Sequence, residues 1–518
     1  MSKLDPVRIS LIAGIIDGIC EEMGSVLQFS ALAANIKDRR DFSAAIFDAG
    51  GCMVGMGTHL PVHLGAMPSA VEAAVEKDPV AGDIVILNDP YRGGTHLPDI
   101  TMVAPAFVDD ERVGFVAVRA HHADVGGIAH GSMPLTDSIY AEGLRIPPVL
   151  LVERGKVRGD VLELILANVR DPDERRADIQ AQIASCVTGV ERLVSLAGRW
   201  GIDELKRGFA EQLDFAENLA KGFISTLTLG TFYSETFMEN DGYDSSMVPL
   251  KGQLIVDEEK LIVDLTSSAD QTRGGINAPR AVTMSALLYA ITVAAGGNIR
   301  PNAGLLRCIE LITRPGTVVD ARMPAACAGG NVETSQRLVE LFFDMLDAAG
   351  ADLPAAGQGT MNNISMGWGS LNYYETIAGG YGAGLQGDGA DATHSHMTNS
   401  LNTPIEALEE IYPLRIERYA VREGSGGGGR HRGGDGVIRE YRFLEPTVVH
   451  LLGERRLTSP PGGNMGEDGE RGRNLLIRGD GTEEELPLPS KGSFPVEAGD
   501  ILRIETPGGG GWGWKGSL

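Results

Sequence analysis

Two apolar, β-branched runs, Ile100 to Val108 and Arg112 to Val118, face each other across Asp109-Asp110-Glu111. That pattern commits this stretch to an antiparallel hairpin, because each run alternates at the period of a strand and the acidic triplet is a turn. Pairing Val108 with Arg112 across a three-residue loop fixes the rest of the register. It places Asp99 directly opposite His121 on one face, with Cβ atoms roughly 5 Å apart. His122 then faces the other side, since strand side chains alternate. A slip of one residue would exchange the two histidines, so His121 ranks ahead of His122. His96 lies an odd number of residues from Asp99 in His96-Leu97-Pro98-Asp99, and joins the pair only if Pro98 and Gly93-Gly94 bend the chain. Two imidazoles and a carboxylate can hold a divalent metal on one face and leave its other positions open to water or substrate. His59, His63 and His130 lie in the same stretch of sequence, with His59 and His63 as secondary candidates for lining the site.

The chain has 518 residues. That is too long for one compact core and calls for two or three domains or subdomains. The expected division is a metal-site region over 1–245, a central α/β region over 246–420 and a Gly-rich β region over 421–518. A formal net charge of −25 argues against a nucleic-acid or anionic-membrane partner, since nothing offsets phosphate repulsion. The five cysteines are scattered and lack Cys-x-x-Cys spacing, which suits a reducing compartment better than a disulfide framework or a zinc knuckle. No secretory signal and no apolar run of membrane-spanning length is visible, so the expected location is the cytoplasm.

Helices are expected from Val7 to Ala34, Met67 to Val75, Glu174 to Ala197, Asp203 to Thr226 and Arg280 to Ala295, the third opened by Asp171-Pro172-Asp173. Strands are expected at Ser43 to Phe47, Cys52 to Met56, Asp83 to Leu87, Leu250 to Val256 and Lys260 to Leu265. Helices and strands do not alternate strictly, so the fold class is α+β, with β-hairpins and long helices, rather than a doubly wound sheet.

Glycine is abundant, 69 residues, and crowds into loops such as Gly424-Ser425-Gly426-Gly427-Gly428-Gly429. That loop lacks the Gly-Lys-Ser/Thr ending through which a phosphate loop reaches its nucleotide, so ATP binding by this chain itself is not expected. No Gly-x-Ser-x-Gly elbow supports a serine hydrolase. His394 and His396 would share a face on a strand, but no acidic ligand stands at persuasive spacing, so a substrate-channel or structural role is assigned to them. Glu333-Thr334-Ser335-Gln336-Arg337 opens an apolar helix and reads as a cap.

Several long motifs resemble the hydantoinase B/oxoprolinase family: Asp41 through Asp48, His59 through Met67, Asn88 through Asp99, His121 through Gly127, Gly131-Ser132-Met133-Pro134, Tyr374-Glu375-Thr376, Arg432-Gly433-Gly434 and the Thr-Pro-Gly-Gly-Gly-Gly tail. The resemblance spans essentially the whole chain. It departs at His130, where the family usually has proline. It implies the B-type subunit of an ATP-dependent cyclic amidase of the N-methylhydantoinase, 5-oxoprolinase or caprolactamase kind. The ATP and magnesium would belong to a larger hydantoinase A-type subunit with an actin-like fold, joined in a hetero-oligomer such as a dimer of heterodimers. That partner would phosphorylate a substrate oxygen, and this chain would hydrolyse the activated cyclic amide at a divalent metal (Mn, Zn, Fe or Co). In the carboxylase relatives the metal sits on a His-x-x-Asp pair and a later His, which match His96, Asp99 and His121. His122 and Asp124 are the candidate catalytic residues, orienting a ligand or moving a proton. The alternative implied by the same resemblance is a subunit of an ATP-dependent acetone- or acetophenone-type carboxylase.

Overall fold

The computed structural model describes residues 6–57, 59–486 and 490–514. Its organisation is α+β, as the irregular order of elements predicts. Seven antiparallel strands form the first sheet: β1 (Phe42–Phe47), β2 (Met53–Met56), β3 (Ile84–Leu87), β4 (Asp99–Val108), β5 (Glu111–His121), β6 (Val149–Glu153) and β7 (Lys156–Val157), in the order β2-β1-β5-β4-β3-β6-β7. The β4–β5 hairpin lies at its centre. Both of its faces are covered, so nearly every residue in it is buried. Ile100, Met102, Ala104, Val116, Val118 and Ala120 pack into a core shared with the Pro6–Ser30 and Pro172–Trp200 helices. Val103, Phe115 and Ala117, on the opposite face, pack against the short Ala66–Val75 helix.

The long helix over this sheet starts where its sequence signals it. The Asp171 carboxylate accepts a hydrogen bond from the Glu174 amide at 3.1 Å, and Pro172 occupies the first turn. It runs close to the first helix. A Cβ at Gly189 would meet the Met23 sulfur, so only glycine permits the approach. The Gln182 side chain reaches down to donate to the Ile100 carbonyl at 2.9 Å, tying helix to hairpin.

The second sheet contains β8 (Gly230–Met238), β9 (Val248–Val256), β10 (Leu261–Asp264) and β11 (Ile309–Ile312), with β10 and β11 parallel. The Arg280–Ala294 and Ser335–Ala348 helices share its core. The remaining strands form two sheets. β12 (Asn363–Trp368), β13 (Leu371–Thr376), β16 (Thr447–Leu452) and β19 (Lys491–Val496) make one. β14 (Leu414–Arg422), β15 (Gly436–Phe443), β17 (Arg473–Ile477), β18 (Glu483–Glu485) and β20 (Ile501–Glu505) make the other. No helix among the described residues is long and apolar enough to cross a membrane.

The hairpin register agrees with the sequence at its functional end and differs at its turn. Asp99 pairs with His121 and Ile100 with Ala120, as expected. At the tip, however, Val108 pairs with Glu111 and Phe107 with Arg112. The turn is only Asp109-Asp110, with Asp109 at φ 51°. A register shift between Ala106 and Phe107 leaves Val113 as the extra residue of a bulge. The bulge restores the offset that the shorter turn removes.

Several histidines are buried deep in this framework. Burial pushes His122 and His396 down to about 4 from an ordinary value of 6.5, so both are neutral in the folded chain at pH 7. Unfolding releases that constraint, and the unfolded chain takes up protons first as pH falls below 6.5. Stability is therefore fully present above pH 6.5 and is lost as pH drops toward 4, on the order of 3 kcal/mol for each histidine. Urea unfolding at a series of pH values should show this slope, and His122→Asn should make it shallower; a flat profile from pH 6.5 to 4 would contradict it.

Candidate metal centre

The loop entering β4 bends as His96 requires. Asn88 pins it at both ends: its amide donates to the Leu97 and Leu144 carbonyls at 2.7 and 3.0 Å, and its carbonyl accepts from the Ile146 amide at 2.6 Å. Gly93 takes φ 90°, and a Cβ there would overlap the Ser69 carbonyl. The Arg119 guanidinium, buried on β5, donates to the Gly93 carbonyl at 2.9 Å and to Thr101 Oγ1 at 2.7 Å. The turn is completed by the Asp99 amide donating to the His96 carbonyl at 3.1 Å. At the other side, the His121 amide donates to the Asp41 carbonyl at 3.0 Å, holding the end of β5 against β1.

These constraints bring three donor atoms together. His96 Nε2 lies 3.1 Å from Asp99 Oδ1, His121 Nδ1 lies 3.2 Å from the same oxygen, and the two nitrogens are 3.2 Å apart. Among the described residues this is the one group of three His, Cys, Asp or Glu side chains close enough to hold an ion. A near-equilateral triangle of this size is what three ligands about 2.1 Å from one cation leave between them. Without a cation the arrangement is poorly satisfied: two ring nitrogens and one carboxylate oxygen crowd together with few protons to share. The outer nitrogens, His96 Nδ1 and His121 Nε2, are buried with no hydrogen-bond partner. The donor set is imidazole plus carboxylate, which fits Mn, Zn, Fe or Co.

The surroundings prepare Asp99 for that task. Burial alone would raise its pKa, but His96, His121 and His63 outweigh it and hold the carboxyl well below the ordinary range. Its second oxygen is occupied, with Thr95 Oγ1 donating at 2.5 Å and His63 Nε2 at 3.3 Å. His63 is in turn fixed by Ser43 Oγ, 2.8 Å from its Nδ1. Burial lowers His96, which favours the unprotonated ring that can bind a cation.

One wall of the site comes from the far end of the chain. The Tyr374 ring, on β13, stacks on His121 with centroids 4.6 Å apart and planes 15° apart. Its hydroxyl donates to Asn363 Oδ1 at 2.7 Å, and the Asn363 amide donates to Glu333 Oε1 at 2.7 Å. Arg39 holds the same tyrosine from behind, donating to its carbonyl at 2.7 Å. Glu333 is no cap. It lies in a π-helical turn, Gly330–Thr334, fully buried, and burial pushes it up to about 8.

The other expected site residues fall outside the triangle. His122 faces the opposite side of the hairpin, its Nε2 2.8 Å from Gln182 Oε1. Asp124 is consumed by structure: Oδ1 accepts from the Gly126 and Arg170 amides, and Oδ2 from the Arg170 guanidinium at 2.6 Å. His59 Nδ1 accepts from the Ala44 amide, and His130 Nε2 donates to the Gly369 carbonyl at 3.0 Å. His394 and His396 share no strand. They occupy a loop and a turn, where His396 has φ 54°. Thr95 could have been found beside His96 in the sequence. Tyr374, Asn363 and Arg39 could not, because no local spacing links them to the hairpin.

Comparison with known proteins follows the same lines. The family described as Hydantoinase B/oxoprolinase matches residues 5–515. An uncharacterized protein of Methanocaldococcus jannaschii is 38% identical over 98% of this chain and 91% of its own length. A 5-oxoprolinase of Dictyostelium discoideum is 37% identical over 100% of this chain, which spans only 41% of that enzyme. Among solved structures, an ATP-dependent caprolactamase from Pseudomonas jessenii superposes with a TM-score of 0.90 at 26% identity, covering 99% of this chain and 92% of that one.

The geometry makes His121 and His122 unequal. Elemental analysis of the purified chain should find about one divalent ion per chain. His96→Ala, Asp99→Ala and His121→Ala should lose it while keeping a native circular dichroism spectrum, whereas His122→Ala should retain it. Full occupancy in all three ligand variants, or loss on His122→Ala alone, would contradict the assignment.

Proposed function

The chain belongs to the hydantoinase B/oxoprolinase family, and on that premise we propose that it is the ring-opening component of an ATP-dependent cyclic amidase. The observation that carries the reading is the convergence of His96 Nε2, Asp99 Oδ1 and His121 Nδ1 on one vacant-sided triangle, buried beneath the Tyr374 ring. A structural metal site is closed by four protein ligands; three ligands with room for a fourth suit catalysis. The substrate class follows from the relatives, a 5-oxoprolinase and a caprolactamase, whose names denote cyclic amides.

The division of labour rests on what this chain has and lacks. The relative acting on 5-oxoproline is more than twice as long as the segment matched here. The caprolactamase is ATP-dependent, yet this sequence has no phosphate loop. A separate hydantoinase A-type subunit would therefore bind ATP and phosphorylate the amide oxygen, releasing ADP. The O-phosphorylated imidate is electrophilic at carbon and carries a good leaving group. Water then adds to that carbon, the phosphate departs and the ring C–N bond opens, giving an amino acid and inorganic phosphate.

A divalent ion held by His96, Asp99 and His121 would lower the pKa of water toward about 7 and so supply a nucleophile at neutral pH. The chain's own groups do the rest. Asp99 stays ionised because the three histidines around it favour its charge, so it offers Oδ1 as an anionic ligand. Thr95 and His63 hold Oδ2 and stop the carboxylate from rotating. Tyr374 fixes the plane of His121. His122, bound to Gln182, and Asp124, bound to Arg170, act at one remove by holding the end of β5 and the loop that follows it. Neither is placed to meet the substrate through the triangle.

Co-expression with an A-type subunit tests this directly. The isolated chain should hydrolyse no ATP. The pair should couple ATP hydrolysis to the opening of a lactam or 5-oxoproline. His121→Ala should abolish ring opening, whereas His122→Gln should reduce turnover by about 10–100-fold, as outer groups do. Sustained ATPase activity in the isolated chain would overturn the division of labour. Bicarbonate-dependent carboxylation of a ketone, with no lactam opening, would overturn the hydrolase reading.

A further inference from the structure

A cavity of about 550 Å³ opens between the edge of the second sheet, the Ser335–Ala348 helix and the Gly-rich C-terminal loops. Its walls carry five carboxylates, from Glu235, Glu340, Asp344, Asp347 and Asp352. Among the described lining residues Arg455 is the sole cation, and it is already engaged. One guanidinium nitrogen donates to Glu340 at 2.6 Å and another to the Ser459 carbonyl at 2.8 Å. Glu340 also takes Arg337 at 2.7 Å, and Glu235 lies 3.1 Å from Lys251. Asp344, Asp347 and Asp352 have no basic side chain in ion-pair contact. Asp344 accepts only from Ser234 Oγ, at 3.1 Å. Enclosure by the cavity walls, ahead of repulsion from Glu340, pushes it up to about 6.

The second observation is His396. Its ring lines the cavity, is 4% exposed, and neither nitrogen has a hydrogen-bond partner. Aromatic rings fix it on three sides: Phe343 and Tyr289 meet it edge-on at 5.2 and 5.8 Å, and Tyr381 at 5.6 Å. A buried imidazole held this firmly, with both polar atoms unused, lacks the partner that buried polar groups normally find. Burial keeps it neutral at pH 7, so it can accept a proton-bearing group without repelling a cation. Trp512 and Phe343 add aromatic surface to the same wall.

We propose that this cavity is a binding site for a small organic cation bearing ammonium groups, received by Asp344 and its neighbouring carboxylates and by the His396 ring. A bare metal ion fits less well. The only three-donor cluster tight enough for one, among the described residues, is His96, Asp99 and His121, whereas these carboxylates are spread along an elongated wall. An anion would meet five like charges. The site is made of residues separate from the metal centre and does not rest on the proposed activity.

Isothermal titration of the full chain with spermidine and cadaverine tests it, with pentanediol as the uncharged control. One saturable site should appear for the amines, and pentanediol should bind at least about tenfold more weakly. The double variant Asp344→Asn/Asp347→Asn should weaken amine binding by about tenfold or more. Both positions are exposed to the cavity, so the fold should persist in circular dichroism. His396→Asn, which tolerates a positive φ, should also weaken binding. His96→Ala should leave it unchanged, which separates this site from the metal centre. Absence of saturable amine binding up to about 10 mM, equal binding by the double variant, or equal binding of pentanediol would overturn the proposal. Displacement of the amine by stoichiometric Mn²⁺ would overturn it in favour of a metal site.

Discussion

The pairing of Asp99 with His121 across the central hairpin is the constraint on which the candidate site depends. Strand side chains alternate, so register decides which histidine meets the carboxylate. Everything around the pair secures that choice. The hairpin is buried on both faces, one against two long helices and the other against a short one. A slip by one residue would carry Asp99 and His121 into an apolar core and expose its aliphatic side chains to the polar cluster. Local hydrogen bonds from Asp41, Asn88 and Arg119 then fix the chain on either side of the strands.

The same burial sets the electrostatics. A carboxylate this deep in the protein is costly unless it is paired and hydrogen-bonded. Asp99 has three histidines and a threonine around it, and its charge survives. The buried rings for their part resist protonation, as His96 shows. The result is an anionic oxygen between unprotonated nitrogens, a combination with more use for a cation than for another proton. Two parts of the fold distant in sequence meet there, since Tyr374 and its Asn363–Glu333 chain belong to the third sheet and the helix facing it.

The hairpin and its ligands were legible in the sequence because they depend on short-range alternation and turn residues. The legibility was partly fortunate. A three-residue turn was expected where the chain makes a two-residue one, and the Val113 bulge returns the register to the expected value. Bulges leave little trace in a run of valines. The long helices were visible from caps such as Asp171-Pro172, to within a few residues. Tyr374 and Arg39 were invisible as site residues, because their positions are set by packing between sheets. Glu333 was misread for a related reason: its helical context is local, but its burial in a π-turn is a tertiary fact. His394 and His396 failed as a strand pair because His396 adopts a left-handed turn conformation.

The central claim is that three particular atoms form one face of a metal site. Anomalous diffraction from crystals of the protein grown with Mn²⁺, recorded on either side of the metal absorption edge, measures this directly. The account predicts one peak about 2.0–2.3 Å from His96 Nε2, Asp99 Oδ1 and His121 Nδ1, with its remaining positions turned away from these side chains. A metal peak elsewhere, one coordinated by His122, or no peak at the triangle at saturating Mn²⁺ would contradict it.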